Sequence, residues 1–274
     1  MDTEFSVSFG LQEDEALCGA AAAACFACID LLEGLLTKFS DTSDVAVIGA
    51  LGPGQNALVA PETMDVLVAS AQICAATGGA FDPTVEARNF GELILDVDHY
   101  RVGVKQGPVK LDFGGIGKGY ALDACAKILR SEQYDLHNWL LDGGTSTLLA
   151  SGTPSPEETA GWPLGVGGVW KKRTKLPTVV RLTEGALSGS GFELRGEHVR
   201  DVRQGGAATR WAQSWARAAS ATVADALTTA ALALDAREIK SACAALDAQI
   251  LVARQQSPLF DRFRDPLVWF GQKA

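Results

Sequence analysis

Apolar and polar positions along the first half of the chain predict alternating strands and helices. Residues 3–9 alternate as in a half-buried strand, and residues 13–38 carry an apolar stripe at helical spacing. Residues 61–79 begin with proline and an acidic turn and end in two glycines, which predicts a second helix. Residues 99–113 are predicted to form a hairpin that turns at Gln106–Pro108.

The pattern of the second half predicts a helix at 120–131 and an apolar strand at 138–141. Residues 161–170 and 178–192 are predicted to form paired strands. A helix at 219–235 and an interior strand at 244–255 are predicted to follow. Strands that pair as hairpins, with helices between them, indicate an α+β fold with mostly antiparallel sheets flanked by helices. We expect one domain over residues 1–274, with a two-lobed organisation as an option. The only plausible loop of low order lies near residues 151–158.

Composition and charge narrow the class of protein. The 274 residues are 47% apolar and carry a net charge of −9, which predicts a globular protein. The negative charge argues against nucleic acid or an anionic membrane as a partner, because both are bound mainly through clustered Lys and Arg. The acidic start does not resemble a secretory signal, and we expect no apolar run of about 18 residues that could span a membrane. A cytoplasmic location is therefore expected.

The six cysteines lie mostly in alanine-rich helical stretches. Cys25 and Cys28 form a C-x-x-C pair, but neither a second pair nor a histidine accompanies it in the surrounding sequence. Buried reduced thiols that pack in a core are the favoured interpretation, and a metal or redox pair is the alternative.

The segment LDFGGIGKGYALD, residues 111–123, joins four glycines to Lys118 between a predicted strand and a predicted helix. Backbone N–H groups at such a turn can bind an anion, and the lysine adds a positive charge suited to a diphosphate. The segment matches neither G-x-G-x-x-G nor G-x-x-x-x-G-K-[ST], so a packed turn with a solvated lysine is the alternative.

Two further groups of residues suggest chemistry. Asp225 and Thr229 are four residues apart on a predicted helix, so their oxygen atoms share one face and could bind Mg²⁺. A solvent-facing aspartate is the alternative. His198, Asp201 and Arg203 lie in GEHVRDVRQGG, where a base, a carboxylate and a guanidinium could meet a phosphoryl group. An ordinary surface hairpin would have the same sequence character.

Taken in order, six segments resemble the motifs of the ApbE family, the FAD:protein FMN transferases. They are GGAFDPTV (78–85), LDFGGIGKGYALD (111–123), LLDGGTS (140–146), ALSGSGF (186–192), GEHVRDVRQGG (196–206) and VADALTTAALALD (223–235). The resemblance extends from Met1 to about Arg254 and implies an ApbE-like, T-fold-related architecture.

The resemblance also implies a set of binding residues. In the family, FAD lies between the glycine segment and the FDPT segment. The positions of this chain that would contact the flavin or its diphosphate are Ala80, Phe81, Asp82, Asp112 and Lys118. The divalent cation, Mg²⁺, would be held by a main-chain oxygen near Gly115 and by the side chains of Asp225 and Thr229.

The family's reaction moves FMN from FAD onto a threonine hydroxyl of an acceptor flavoprotein and releases AMP. The resemblance implies that FAD is the substrate and that the partner is a flavoprotein bearing a target threonine. His198 matches the histidine of the motif H-x-I-D-P-R-T-G and would assist the hydroxyl or orient the phosphoryl group. Asp201 and Arg203 would support it.

Several motifs depart from the family pattern. Residues 188–191 read S-G-S-G where S-G-D-Y is usual, and residues 43–49 lack the second serine and the asparagine of S-x-L-S-x-x-N. The resemblance thus implies that the cation ligands are intact while parts of the flavin and acceptor pocket are altered. Two alternatives to transfer therefore stay open: a non-catalytic FAD-binding paralogue, and a Mg²⁺-dependent FAD diphosphatase.

Overall fold

The computed structural model describes residues 3–84, 90–144, 146–166, 178–191, 200–201, 203, 206–208, 210–253 and 267–271. In chain order its elements are β1 (Ser6–Phe9), α1 (Glu15–Leu36), α2 (Asp44–Gly49), β2 (Asn56–Leu58), α3 (Pro61–Ala76), a 3₁₀ turn (Phe90–Glu92), β3 (Leu93–Asp96), β4 (Arg101–Val104), α4 (Gly117–Leu129), β5 (Trp139–Asp142), β6 (Thr147–Ser151), β7 (Trp162–Val166), β8 (Thr178–Leu182), β9 (Glu184–Gly191), β10 (Arg200–Asp201), β11 (Gly206–Ala207), β12 (Gln213–Ala218), α5 (Ala221–Ala231), α6 (Ala236–Ala245), β13 (Gln249–Ala253) and β14 (Leu267–Phe270).

A seven-stranded sheet in the order β1-β5-β6-β9-β12-β13-β14 forms the centre of the fold. Every neighbouring pair in it is antiparallel. A smaller antiparallel sheet has the order β2-β4-β3, and β7 and β8 form a two-stranded ribbon. These sheets and the intervening helices confirm the predicted α+β class.

The seven-stranded sheet buries apolar side chains on both faces. Alternate residues point to opposite faces of a strand, so Ala186 and Ala216 join the larger core with the helices while Leu187 and Trp215 join a second cluster. The β7–β8 ribbon contributes Trp162 to this second cluster. The sheet therefore packs against helices on one face and against the β7–β8 ribbon on the other.

Two predicted features of the second half are confirmed. β7 and β8 pair with each other, and β13 lies between β12 and β14 as an interior strand. Residues 151–158, expected to form a loop of low order, begin at the last residue of β6 and continue outside any strand. Hydrogen bonds hold this segment: the carbonyl of Pro154 accepts from the N–H of Leu11 at 3.0 Å, and the N–H of Thr153 donates to the Asn138 side chain at 3.1 Å.

The predicted hairpin over residues 99–113 is wrong in its location. β4 pairs with the preceding strand β3, through a turn at residues 97–100 that places Tyr100 at a φ of 50°. The residues Gln106–Pro108 lie after β4, outside any strand. The turn at 97–100 has no glycine, whereas Gly107–Pro108 is a strong turn signal, and this difference misplaced the hairpin.

Helix α6 was missed, although its start has a clear sequence signal. The Asp235 side chain accepts from the N–H of Glu238 at 2.8 Å, and the Glu238 carboxylate accepts from the N–H of Asp235 at 2.7 Å. This reciprocal pair is a capping box, which satisfies N–H groups that a helix leaves without partners at its start.

Helix α1 corrects the expectation about membrane-span length. By length and composition alone it could cross a membrane, because an 18-residue stretch of its 22 residues has a mean hydropathy of 1.7. Core helices of water-soluble proteins and signal sequences near an N-terminus pass the same test, so the finding is weak. The α1 side chains that enter the core are Ala21, Cys25, Ile29, Leu32 and Leu36. Cys25 packs where α1 crosses α4, with its Sγ 3.7 Å from the carbonyl oxygen of Cys125, as expected for a core thiol.

The close crossing of α4 and α5 is the feature of the fold that positions the glycine segment. A Cβ atom added to Gly119 would lie 2.1 Å from the carbonyl oxygen of Ala221, so only glycine allows this approach. Asp123, one turn later on α4, accepts hydrogen bonds from the start of α5. Its donors are the hydroxyl of Ser220, the N–H of Ala221, and the N–H and hydroxyl of Thr222, at 2.6, 2.9, 2.9 and 2.5 Å.

We predict that Gly119→Ala lowers the free energy of unfolding by more than about 2 kcal/mol, because the new methyl group overlaps the backbone of α5. Gly34→Ala, on the exposed face of α1, is the matched control. None of the described residues lies within 4 Å of a Cβ placed at Gly34, so alanine should stabilise α1 by up to about 1 kcal/mol. Urea unfolding of both variants checks this, and equal stability of Gly119→Ala and wild type would contradict it.

Candidate functional site

Three segments that are distant in sequence meet beside the start of α4. A Cβ atom at Gly115 would lie 3.4 Å from Oγ1 of Thr229 and 3.5 Å from Cε2 of Phe81. The N–H of Asp112 donates to the carbonyl oxygen of Pro83 at 2.7 Å. The glycine segment therefore contacts both the FDPT segment and α5, so the predicted cofactor and metal positions are neighbours.

Asp225 is 2% exposed, which rules out the alternative of a solvent-facing aspartate. Its Oδ2 accepts from the N–H of Gly119 at 3.1 Å, and its Oδ1 accepts from the Thr147 hydroxyl at 3.0 Å. Nζ of Lys118 lies 3.2 Å from Oδ1 and 3.3 Å from Oδ2. A buried carboxylate requires such compensation, because removal from water strongly disfavours an isolated charge.

Lys118 joins the glycine turn to α5. Its ammonium group is 3.3 Å from the carbonyl oxygen of Gly114 in addition to its contact with Asp225, and its side chain is 19% exposed. The lysine is therefore a partly buried member of an ion pair, which overturns the alternative of a solvated lysine. The position between the Gly114 carbonyl and the Asp225 carboxylate favours a positive charge.

The residues at this position fit a hard divalent cation. A carboxylate from Asp225, a hydroxyl from Thr229 and main-chain carbonyls of the glycine turn are all oxygen donors, which Mg²⁺ prefers, and Thr229 is only half-buried. Within the described ranges, no group of three or more His, Cys, Asp or Glu side chains could hold a metal. A cation here would thus depend on one acidic side chain together with neutral oxygen atoms.

Asp112 and Lys38 form an ion pair beside the glycine turn. Oδ1 of Asp112 accepts from the N–H of Gly114 at 2.8 Å, and Oδ2 accepts from Nζ of Lys38 at 2.6 Å. Lys38 follows α1, next to Phe39, whose side chain is 89% exposed. Lys38 was not predicted from the sequence, because a single lysine between two helices carries no recognisable signal.

The FDPT segment is shaped by its own side chains. Oδ1 of Asp82 accepts from the N–H of Thr84 at 2.8 Å and from its hydroxyl at 2.7 Å. Ala80 and Phe81 are buried in the larger core. These contacts give the segment a fixed turn against the glycine segment, while contact of these three residues with a flavin stays a prediction.

The three predicted catalytic residues are only partly described. His198 lies outside the described residues, and Asp201 is described only as a backbone partner of Gly206 in the β10–β11 pair. The Arg203 guanidinium donates to Oε1 of Glu238 at 2.7 Å and to the carbonyl oxygen of Ala233 at 3.0 Å. Arg203 is thus anchored to the start of α6, and the catalytic roles of all three residues remain predictions.

Tyr120 of the glycine segment is a hydrogen-bond donor. Burial raises its pKa, and the nearby carboxylate of Asp65 raises it further. Its hydroxyl lies 3.5 Å from Oδ2 of that carboxylate. The phenol therefore stays protonated at neutral pH and cannot serve as a base there.

The glycine-turn site lies in a fold of helices and antiparallel sheets that ApbE structures share. Residues 1–90 and 86–252 match the model of the ApbE family, and the chain belongs to that family. No curated protein matches the sequence.

Solved structures share the fold at low sequence identity. Pseudomonas stutzeri flavinyl transferase ApbE is similar with a TM-score of 0.78 and 19% identity, covering 98% of this chain and 94% of that one. Flavin transferase ApbE from Vibrio cholerae is similar with a TM-score of 0.80 and 13% identity, and the match covers 98% of this chain and 94% of that one. An ApbE protein from Thermotoga maritima is similar with a TM-score of 0.76 and 23% identity, and the match covers 96% of each chain.

We predict that Lys118 and Asp225 depend on each other for stability. Lys118→Met and Asp225→Asn should each cost about 2–3 kcal/mol, because each leaves one buried charge without its partner. The double variant should cost at least about 1 kcal/mol less than the sum. The same double-mutant cycle at the exposed pair Arg130–Glu184 is the control, and we expect the interaction free energy between these two side chains to be below about 1 kcal/mol. Equal coupling at the two pairs, measured by urea unfolding, would contradict the account.

Proposed function

We propose that this chain is a Mg²⁺-dependent transferase that moves FMN from FAD onto a threonine hydroxyl of an acceptor flavoprotein and releases AMP. Membership of the ApbE family and the similarity to proteins called flavin transferases support the proposal. The observation that carries it is the meeting of the glycine-turn carbonyls, Lys118, Asp225 and Thr229 at one place.

The proposed reaction is a phosphoryl transfer that balances without a redox step. A bond forms between the threonine oxygen and the phosphorus of the FMN half of FAD. The bond from that phosphorus to the bridging oxygen breaks, AMP leaves with the bridging oxygen, and the threonine proton is lost. When bound, Mg²⁺ supplies positive charge that stabilises the phosphate oxygens, which is the main requirement of such reactions.

Residues of the chain itself would bind the cation and the diphosphate and accept the threonine proton. Asp225, Thr229 and a main-chain oxygen near Gly115 would hold the cation. Lys118, whose charge now compensates Asp225 at 3.2 Å, would be released by the cation and would pair with the diphosphate of FAD. His198 would accept the threonine proton or orient the phosphoryl group, on the strength of its motif.

A second candidate is a non-catalytic FAD-binding paralogue. Ser43 and Ser188 belong to two of the motifs that depart from the family pattern, and both side chains are buried and hydrogen-bonded within the fold. Ser43 accepts from the N–H of Ala46 at 3.1 Å to cap α2, and Ser188 is hydrogen-bonded to Thr147 at 3.0 Å. Neither serine side chain is free to bind a nucleotide in this arrangement, which favours weaker flavin contacts.

Incubation of the chain with FAD, Mg²⁺ and a threonine-bearing flavoprotein domain tests the proposal. We expect covalently bound flavin on the acceptor, equimolar AMP, and no product in the presence of EDTA. Asp225→Asn should lower the rate at least about 100-fold, because it removes the one carboxylate among the residues proposed to hold the cation. Asp30→Asn, on the exposed face of α1, is the charge-matched control and should react as wild type.

Three outcomes would select other functions or reject the site. FAD binding without AMP release would select the paralogue. AMP and FMN formed equally with and without an acceptor would select a diphosphatase. Transfer at the wild-type rate by Asp225→Asn would reject Asp225 as a ligand.

A further inference from the structure

We propose that Thr147 and Ser188 are positioning residues for Asp225, with Ser190 as an auxiliary. The inference rests on the proposed function, because it assigns these hydroxyl groups to the orientation of the cation-binding carboxylate. None of them belongs to the predicted site. They lie on β6 and β9, on the face of the seven-stranded sheet that packs against α5.

The first chain of hydrogen bonds ends on the side chain of Asp225. Oγ1 of Thr147 lies 3.0 Å from Oδ1 of Asp225 and 3.0 Å from Oγ of Ser188. The carboxylate, which faces the Lys118 ammonium, only accepts, so the Thr147 hydrogen points to Asp225. Thr147 then accepts from Ser188, and the chain has one direction, from Ser188 through Thr147 to Asp225. Both hydroxyl-bearing residues are buried, at 1% exposure or less.

The second chain ends on the main chain of the same residue. Oγ1 of Thr228 donates to the carbonyl oxygen of Asp225 at 2.8 Å, so it must accept from Ser190, whose Oγ lies 2.8 Å away. Ser188 and Ser190 are two residues apart on β9 and therefore point to the same face. One strand thus supports both the carboxylate and the backbone of Asp225.

These chains give a physical reason for the sequence Ser188-Gly-Ser190-Gly191. The usual S-G-D-Y pattern has an acid at position 190, whereas this chain has a hydroxyl whose hydrogen bond goes to Thr228. The pair of serines is therefore matched to two threonines, one on β6 and one on α5. Polar groups that orient a metal ligand typically change metal affinity 10- to 100-fold when they are removed.

The test measures Mn²⁺ binding to the FAD-loaded protein by electron paramagnetic resonance, without any acceptor. Thr147→Val should bind Mn²⁺ about tenfold more weakly or worse, and Ser188→Ala about threefold more weakly. Thr147→Ser, which keeps the donor, should restore affinity to within about twofold of wild type. Ser151→Ala is the matched control: Ser151 is a buried β6 serine that bonds Glu184 rather than Asp225, and its removal should leave the affinity unchanged.

Thermal unfolding of every variant separates orientation from loss of fold. If Thr147→Val does not fold, the double variant Ser188→Ala/Ser190→Ala replaces it, with an expected loss of at least about threefold. Wild-type affinity in Thr147→Val, or in that double variant, overturns the inference. Wild-type protein that binds Mn²⁺ with FAD but transfers no flavin refutes the proposed function alone, whereas failure of wild type to bind Mn²⁺ overturns both.

Discussion

The approach of α4 to α5 at Gly119 is the constraint on which the site depends. A side chain at this position would overlap the Ala221 carbonyl, and the N–H of Gly119 itself donates to Asp225 at 3.1 Å. The same residue therefore brings the helices together and binds the carboxylate. Asp123 fixes the start of α5 one turn further along. With both contacts in place, the turn before α4 lies beside the oxygen-bearing face of α5.

Electrostatic compensation follows from this packing. Asp225 is buried, and a charge in that environment requires a cation or several donors. The Lys118 ammonium supplies the positive charge, and the Gly114 carbonyl shares it. The hydroxyl chain from Ser188 through Thr147 donates to Oδ1 of the same carboxylate. The arrangement thus combines a carboxylate that several donors hold with a lysine in contact with it, and these groups suit the proposed binding of a divalent cation and a diphosphate.

Local sequence signals predicted much of this arrangement. The i, i+4 spacing of Asp225 and Thr229 and the four glycines before α4 pointed to oxygen ligands and close backbone approach, and the two elements are adjacent. Local signals could not predict partners that are distant in sequence. Thr147 and Asp225 are 78 residues apart, and Lys38 and Asp112 are 74 residues apart. Periodicity reports which face of an element is buried and not what lies against it. The misplaced turn near Gln106 has a different cause, because Gly107–Pro108 is a stronger turn signal than the glycine-free turn at residues 97–100.

The central claim is that a divalent cation binds between the glycine turn and α5. A crystal structure of the protein with FAD and Mn²⁺, with data collected at the manganese absorption edge, tests it most directly. The account predicts one strong anomalous peak in contact with Asp225 and Thr229, with the Lys118 ammonium moved from Asp225 to the FAD diphosphate. Bound FAD with no peak at that position, and with the ion pair between Lys118 and Asp225 intact, would contradict it.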